Sequence, residues 1–260
     1  MANKLNQFTT HSSQFTNFAF TLAETLIVMG IIGVVAALTL PNLNSSTGDK
    51  EKVAKVKKIY SNLNDAFGRA QAVYGPLDEW FKNDNNHASQ SARFANRMTE
   101  FMKISKNCGN TTSGCFNTND INLIGGGSLK YVNNDKIKVI TADGTAIMFS
   151  CGAEYNYLWA PPCNILVDID GPNKGALKMG SDIFEFEAHS KGGVYPSSYY
   201  YAVNLYTPNP SYYTCFDIGY GCSAWIIDVG NLDYLKVDTN GKCKNNTSIT
   251  LDGTTNTTCK

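Results

Sequence analysis

The chain predicts an α+β fold: one long N-terminal helix, apolar in its first half and amphipathic in its second, packed on an antiparallel β-sheet head with a disulfide-closed C-terminal region. Three observations carry this. Phe20 to Leu40 is an unbroken apolar segment, FTLAETLIVMGIIGVVAALTL, with a single charge, Glu24. Further on, Val53, Val56, Ile59, Tyr60, Leu63, Phe67, Ala70 and Val73 recur at three- and four-residue steps, the period of an amphipathic helix. From residue 137, short β-rich runs alternate with turn residues, and the 8 cysteines all lie beyond the apolar run.

As a helix, Phe20 to Leu40 would be about 31 Å long, enough to cross the hydrocarbon core of a bilayer. A carboxylate inside such a helix costs about 2.5–3.5 kcal/mol on insertion scales. Glu24 is therefore expected to meet a cationic partner, since a plain anchor does not need it. Residues 1–19 are polar, with Lys4 the only Lys or Arg. A secretory signal places its small cleavage residue after a shorter apolar core. Here Ala19 precedes the run, so a cut there would leave the apolar segment on the mature chain.

Around Ala19-Phe20-Thr21-Leu22-Ala23-Glu24, the segment AFTLAETLIVMGIIGVVAALTLP closely resembles the type IV prepilin signal of pilins and type II secretion pseudopilins. The resemblance implies a leader peptide over 1–19, cut by a prepilin peptidase between Ala19 and Phe20, and N-methylation of Phe20. It implies a transmembrane or filament-core helix over 20–47, with Glu24 and Pro41 matching the family's assembly acid and proline, and an extracytoplasmic pilin-like head over 48–260. The implied location is the bacterial inner membrane, single-pass, with a periplasmic or extracellular head, and then a filament. Implied partners are the peptidase, other pilin-like subunits, an inner-membrane assembly platform and membrane lipid. Ala19 stands where the family usually has Gly, and the leader lacks the usual basic residues before the cut. The stretch ADGTAIMF through VDIDGPN and GSDIFEFE also resembles the heads of prepilin-type proteins of type II secretion. A transmembrane anchor with an incidental glutamate is the plainer reading of the same residues.

Composition narrows the classes. With 22 basic and 22 acidic residues the formal charge is zero, so nothing marks an electrostatic nucleic-acid binder. Charged residues make up only 17%, the makeup of a loop-rich extracytoplasmic β domain. No C-x-x-C occurs, which weighs against a zinc knuckle or a thioredoxin-like centre. Disulfides in an oxidising compartment are the expectation, with buried free thiols the alternative. Eight cysteines allow about 105 pairings. They fall in four neighbouring couples: Cys108–Cys115, Cys151–Cys163, Cys215–Cys222 and Cys243–Cys259.

Along the chain, Pro41 would bend the helix without ending it, and Asn42 to Gly48 is weakly helical. Lys50, Lys52, Lys55, Lys57 and Lys58 mark a solvated face, with a lipid-headgroup or partner contact as the alternative. Gly75-Pro76 ends the element. Leu77 to Met102 is polar with helical islands such as SARFANRMTEFMKI. KIKVITADGTAIMFS reads as a hairpin turning at Asp143-Gly144, and NILVDID and DIFEFEAH as two strands. KGGVYP reads as a turn. SSYYYAVNLYTPNPSYYT reads as a surface loop, or as an adhesive patch. CSAWIIDVGNLDYLK reads as a short helix or strand that buries Trp225, Ile226 and Ile227. The tail from Asp238 is rich in Asn and Thr.

Candidate chemistry is sparse. The D-x-D-G at Asp168, Asp170 and Gly171, with Asn173 and Asp182 near, offers hard oxygen ligands for Ca²⁺. It departs from an EF-hand loop at Pro172 and Met179. The alternative is a turn capping its own backbone. The 3 histidines, His11, His87 and His189, form no metal-binding pair, and no nucleophile elbow or phosphate loop is present. Glu185 and Glu187 share one strand face, expected to be solvated. The basic segments lack the interleaved aromatics of single-strand binders. The expectation is thus no enzyme but a structural subunit, a pseudopilin or minor pilin, of a type IV pilus-like or type II secretion filament. The alternative is a membrane-anchored adhesin or substrate-binding tip module.

Overall fold

The computed structural model describes residues 21–111, 114–116, 120–130, 135–152, 163–172, 174–189, 192–197, 213–238, 240–250 and 256–259; within its helices, the side chains of 38–46 and 213–214 lie outside the description. Two compact units are present, Met1–Ser46 and Thr47–Lys260. Helical residues run over Leu22–Tyr74 (α1), whose part before Thr47 belongs to the first unit.

In the second unit, α1 ends where Gly75, at φ 77°, takes a left-handed turn that an L side chain resists. Its N–H still bonds to Gln71 O at 2.9 Å, and Gly75 O accepts from Trp80 Nε1 at 2.8 Å. Two short helices follow, Leu77–Trp80 (α2) and His87–Thr99 (α3). Asn86 caps α3 by accepting from Ser89 N at 2.9 Å.

Six strands form one antiparallel sheet: Ile104–Gly109 (β1), Ile137–Thr141 (β4), Ala146–Cys151 (β5), Cys163–Asp168 (β6), Ile183–His189 (β7) and Gly193–Pro196 (β8), in the spatial order β1-β4-β5-β6-β7-β8. Ile121–Asn122 (β2) and Ser128–Leu129 (β3) pair separately. The expected hairpin at Asp143-Gly144 joins β4 to β5. KGGVYP is not only a turn: Gly193–Pro196 is paired to β7, with His189 opposite Gly193 and Phe186 opposite Pro196. Tyr213–Asp217 (α4), Cys222–Asp228 (α5) and a 3₁₀ turn, Asp233–Lys236, complete the described elements. The helical option for CSAWIID is thus the one taken.

Alternation sorts the sheet into two faces. Val139, Ile147, Phe149, Ile165, Val167, Phe184 and Phe186 share a core with Val56, Ile59, Leu63, Phe67 and Ala70 of α1. Tyr60 stacks on Phe186 with centroids 5.8 Å apart, and Phe94 of α3 meets Phe149 edge-on at 5.7 Å. The opposite face buries Ala146, Met148, Leu166 and Ile183 with Phe116, Ile121, Leu177 and Met179. Disulfides join Cys108–Cys115, Cys151–Cys163, Cys215–Cys222 and Cys243–Cys259, and no cysteine is free.

Candidate functional site

Among the described residues of the first unit, a local constellation stands at the start of α1. Thr21 N and Thr21 Oγ1 each donate to Glu24 Oε2 at 2.8 Å, and Glu24 N donates to Thr21 Oγ1 at 3.2 Å. This is a reciprocal capping box: two N–H groups with no intrahelical partner are satisfied by the two side chains. Glu24 therefore has a local structural task besides any intermolecular one. The Thr-x-x-Glu spacing that signals it is present in the sequence, hidden inside the apolar run. Beyond it, Leu22, Leu26, Ile27, Val28, Met29, Ile31, Ile32, Val34 and Val35 are all more than half exposed. A helix apolar on every side needs an apolar surrounding to be stable.

Among the described residues no helix is long and apolar enough to cross a membrane. The described apolar side chains end at Ala37, and those of Leu38 to Leu40 lie outside the description. Ala19 and Phe20 lie outside it too; Pro41 falls within α1, its side chain likewise outside.

The proposed calcium loop in the second unit is organised around its own backbone. Asp168 Oδ1 accepts from Asp170 N at 3.1 Å and Gly171 N at 3.0 Å. Asp182 Oδ2 accepts from Leu177 N at 2.7 Å, and its Oδ1 from Lys178 N at 2.9 Å. Asp170 faces Lys52 of α1 at 3.8 Å, and Lys52 Nζ also donates to Ser181 O at 3.2 Å. Asn173 lies outside the described residues. Among the described residues no group of three or more His, Cys, Asp or Glu side chains is placed to hold a metal. The geometry is that of a self-capping turn, with the Lys52 ammonium as the nearby cation.

This packing perturbs the acids. Burial pushes the Asp168 carboxyl up to about 7, reinforced by the neighbouring Asp182 charge and opposed by the N–H groups of Asp170 and Gly171. Asp168 is 1% exposed, and its Oδ2 is buried with no hydrogen-bond partner. Burial also raises Asp182, against the pull of the Lys178 and Leu177 N–H groups and of Lys52. Asp143 shows the reverse balance. Burial alone would raise it, but Thr141 and Lys58 donate to it at 2.6 and 2.9 Å and hold it at about 2.

A third group corrects a sequence expectation. Glu185 and Glu187 are not on a solvated face: each is only 5% exposed. The strand beyond them, β8, and helix α5 bring two serines against them. Ser197 Oγ lies 2.9 Å from Glu187 Oε1 and 3.2 Å from Glu185 Oε2, while His189 Nε2 is 3.3 Å from Glu187 Oε2. Ser223 Oγ of α5 donates to Glu185 O at 2.7 Å and accepts from Ser197 N at 3.1 Å. Ser197 and Ser223 are far from the acids in sequence, so no local pattern announces this cluster. Alternation along β7 showed only that the two acids share a face.

A groove of about 530 Å³ also lies between α1 and the β4–β5 turn. Ile59 and Ile147 are in its lining, which includes the Lys58–Asp143 ion pair and Arg69, whose guanidinium stands 5.0 Å over Phe101. Its charged groups pair with one another more than they converge on a ligand. No protein-family model matches the chain, and no curated protein or solved structure is significantly similar to it.

Proposed function

We propose that this chain is a structural subunit, a pseudopilin or minor pilin, of a type IV pilus-like or type II secretion filament. The observation that carries the reading is the helical stretch from Leu22 to Val35, whose large apolar side chains are exposed on every side, with a carboxylate held at its head by Thr21. Such a stretch needs lipid or other apolar helices around it. The prepilin-like segment at Ala19-Phe20 supplies the route between these surroundings. A peptidase cut before Phe20 leaves the apolar helix in the inner membrane with the disulfide-closed head outside. An assembly platform then draws the subunit among neighbouring helices.

In that setting Glu24 has a defined electrostatic task. The new α-amine of a processed subunit is mostly protonated at neutral pH. A buried carboxylate is costly alone and tolerable when a cation meets it. Thr21 uses only Glu24 Oε2, so Oε1 is open to that amine among the described residues. The antiparallel sheet and its four disulfides suit a head that must hold its shape outside the cytoplasm.

Mass spectrometry of the membrane-extracted protein tests this. A chain beginning at N-methylated Phe20 is expected. An intact Met1 start, or a cut beyond Leu40, removes the filament reading.

A further inference from the structure

We propose that Asp143-Gly144, in the β4–β5 hairpin turn, is a site of spontaneous isoaspartate formation that Lys58 and Thr141 hold closed in the folded protein. The chemistry is open to any Asp followed by Gly, because glycine leaves the next backbone nitrogen unshielded. Gly144 N attacks Asp143 Cγ and gives up its hydrogen, one carboxyl oxygen leaves as water, and a cyclic imide closes. Solvent water then opens either carbonyl of the imide. One opening returns Asp143; the other gives an isoaspartate whose backbone runs through the side chain. The first step needs a protonated carboxyl, with a hydroxyl to expel, and a nitrogen free to attack.

The fold imposes the susceptible glycine. Gly144 stands at φ 85°, in the left-handed region that closes this hairpin. On the neighbouring loop, Asp170-Gly171 places Gly171 at φ 85°, where a Cβ would come within 2.6 Å of Gly144 O. Neither glycine can be exchanged for a larger residue without strain. The Asp143 side chain is 34% exposed, so water reaches it and burial is not what preserves it.

Three contacts preserve it instead. Thr141 Oγ1 lies 2.6 Å from Asp143 Oδ1, closer than its other neighbour, Thr145 O, at 3.1 Å. Lys58 Nζ donates to Asp143 Oδ2 at 2.9 Å. Both oxygens accept, which is the behaviour of a carboxylate and not of the acid, in keeping with the low value at which these donors hold the group. Gly144 N is already committed, donating to Thr141 O at 3.0 Å. Electrophile and nucleophile are thus both occupied. The second pair repeats the plan: Lys52, also of α1, stands 3.8 Å from Asp170, and Gly171 N donates to Asp168 Oδ1 at 3.0 Å. An exposed ion pair such as Lys58–Asp143 contributes little to stability. Its task here is to keep the turn chemically intact.

The test incubates the full-length protein in detergent micelles in H₂¹⁸O at about pH 7 and follows, by mass, the digest peptide that contains Asp143. Each passage through the imide leaves one solvent oxygen in the product, so label counts passages whether or not isoaspartate forms. A synthetic peptide of residues 137–149 is the reference. Wild type should take up label at least about tenfold more slowly than the peptide, since its carboxyl is held well below the ordinary range. Lys58→Met should speed uptake several-fold, and Lys58→Arg should stay at the wild-type rate. Leu63→Ala, which loosens α1 without touching Asp143, should also label at the wild-type rate. Wild type labelling as fast as the peptide would overturn the proposal, and that comparison holds even if a variant does not fold. Lys58→Met labelling no faster than wild type, or no faster than Leu63→Ala, would overturn it too.

Discussion

Asp168 carries a pH dependence. Its carboxyl is raised from 3.8 to about 7, so folding favours the neutral acid. The stability this gives is present in full below about pH 4 and is lost as pH rises through about 7, a swing on the order of 4 kcal/mol. Asp168→Asn keeps an oxygen for the Asp170 and Gly171 N–H groups and has no charge to gain. The variant should overtake wild type in melting temperature between about pH 5 and about pH 8; parallel pH profiles would sink the assignment. At Glu24 the capping box separates two roles. Glu24→Gln keeps an acceptor for Thr21 and loses the charge. Glu24→Leu loses both the acceptor and the charge. Both should be cleaved and inserted, and both should be depleted from sheared filaments, the Leu variant more. Wild-type incorporation of both would mean that the carboxylate does not drive assembly.

Helix α1 holds the sheet through its apolar stripe more than through its charges. Leu63 is fully buried in the shared core, whereas the Lys58 side chain is 60% exposed in its ion pair with Asp143. Leu63→Ala should cost about 2–5 kcal/mol and Lys58→Ala under about 1 kcal/mol. Urea midpoints of the two variants check this, and equal costs would show that the bridge, not the stripe, carries the docking. The stripe was legible in the sequence because helical spacing alone puts Val56, Ile59, Leu63, Phe67 and Ala70 on one side. The alternation of Phe184, Phe186 and Ala188 was legible for the same reason. What alternation cannot say is whether the other face meets water. Glu185 and Glu187 looked solvated because their cover, Ser197 and Ser223, arrives from later segments. KGGVYP looked like a turn because its glycines dominate. Gly192 and Gly193, at φ 127° and 143°, do reverse the chain, but the residues after them pair back onto β7. The self-capping of Asp168 was one of two readings of D-x-D-G, and the placement of the Asp170 and Gly171 N–H groups that makes it is invisible to the sequence.

The second unit is stapled by four disulfides with sequence separations of 7, 12, 7 and 16. Each should contribute about 2–3 kcal/mol, chiefly by restricting the unfolded chain. Unfolded but unreduced protein should show no reactive thiol, and reduction should lower the melting temperature; eight labelled cysteines would defeat the claim. Cys151 and Cys163 face each other across β5 and β6, the last residue of one strand and the first of the next. The ladder between these strands, and the cystine at its end, connect the two halves of the chain without the polypeptide that lies between them. The backbone between the two cysteines is bypassed by that cystine. Cleaving it, or splicing a foreign sequence into it, would change the connectivity of the backbone without disconnecting the molecule. Protein nicked there should migrate as one species until reduced and as two afterwards.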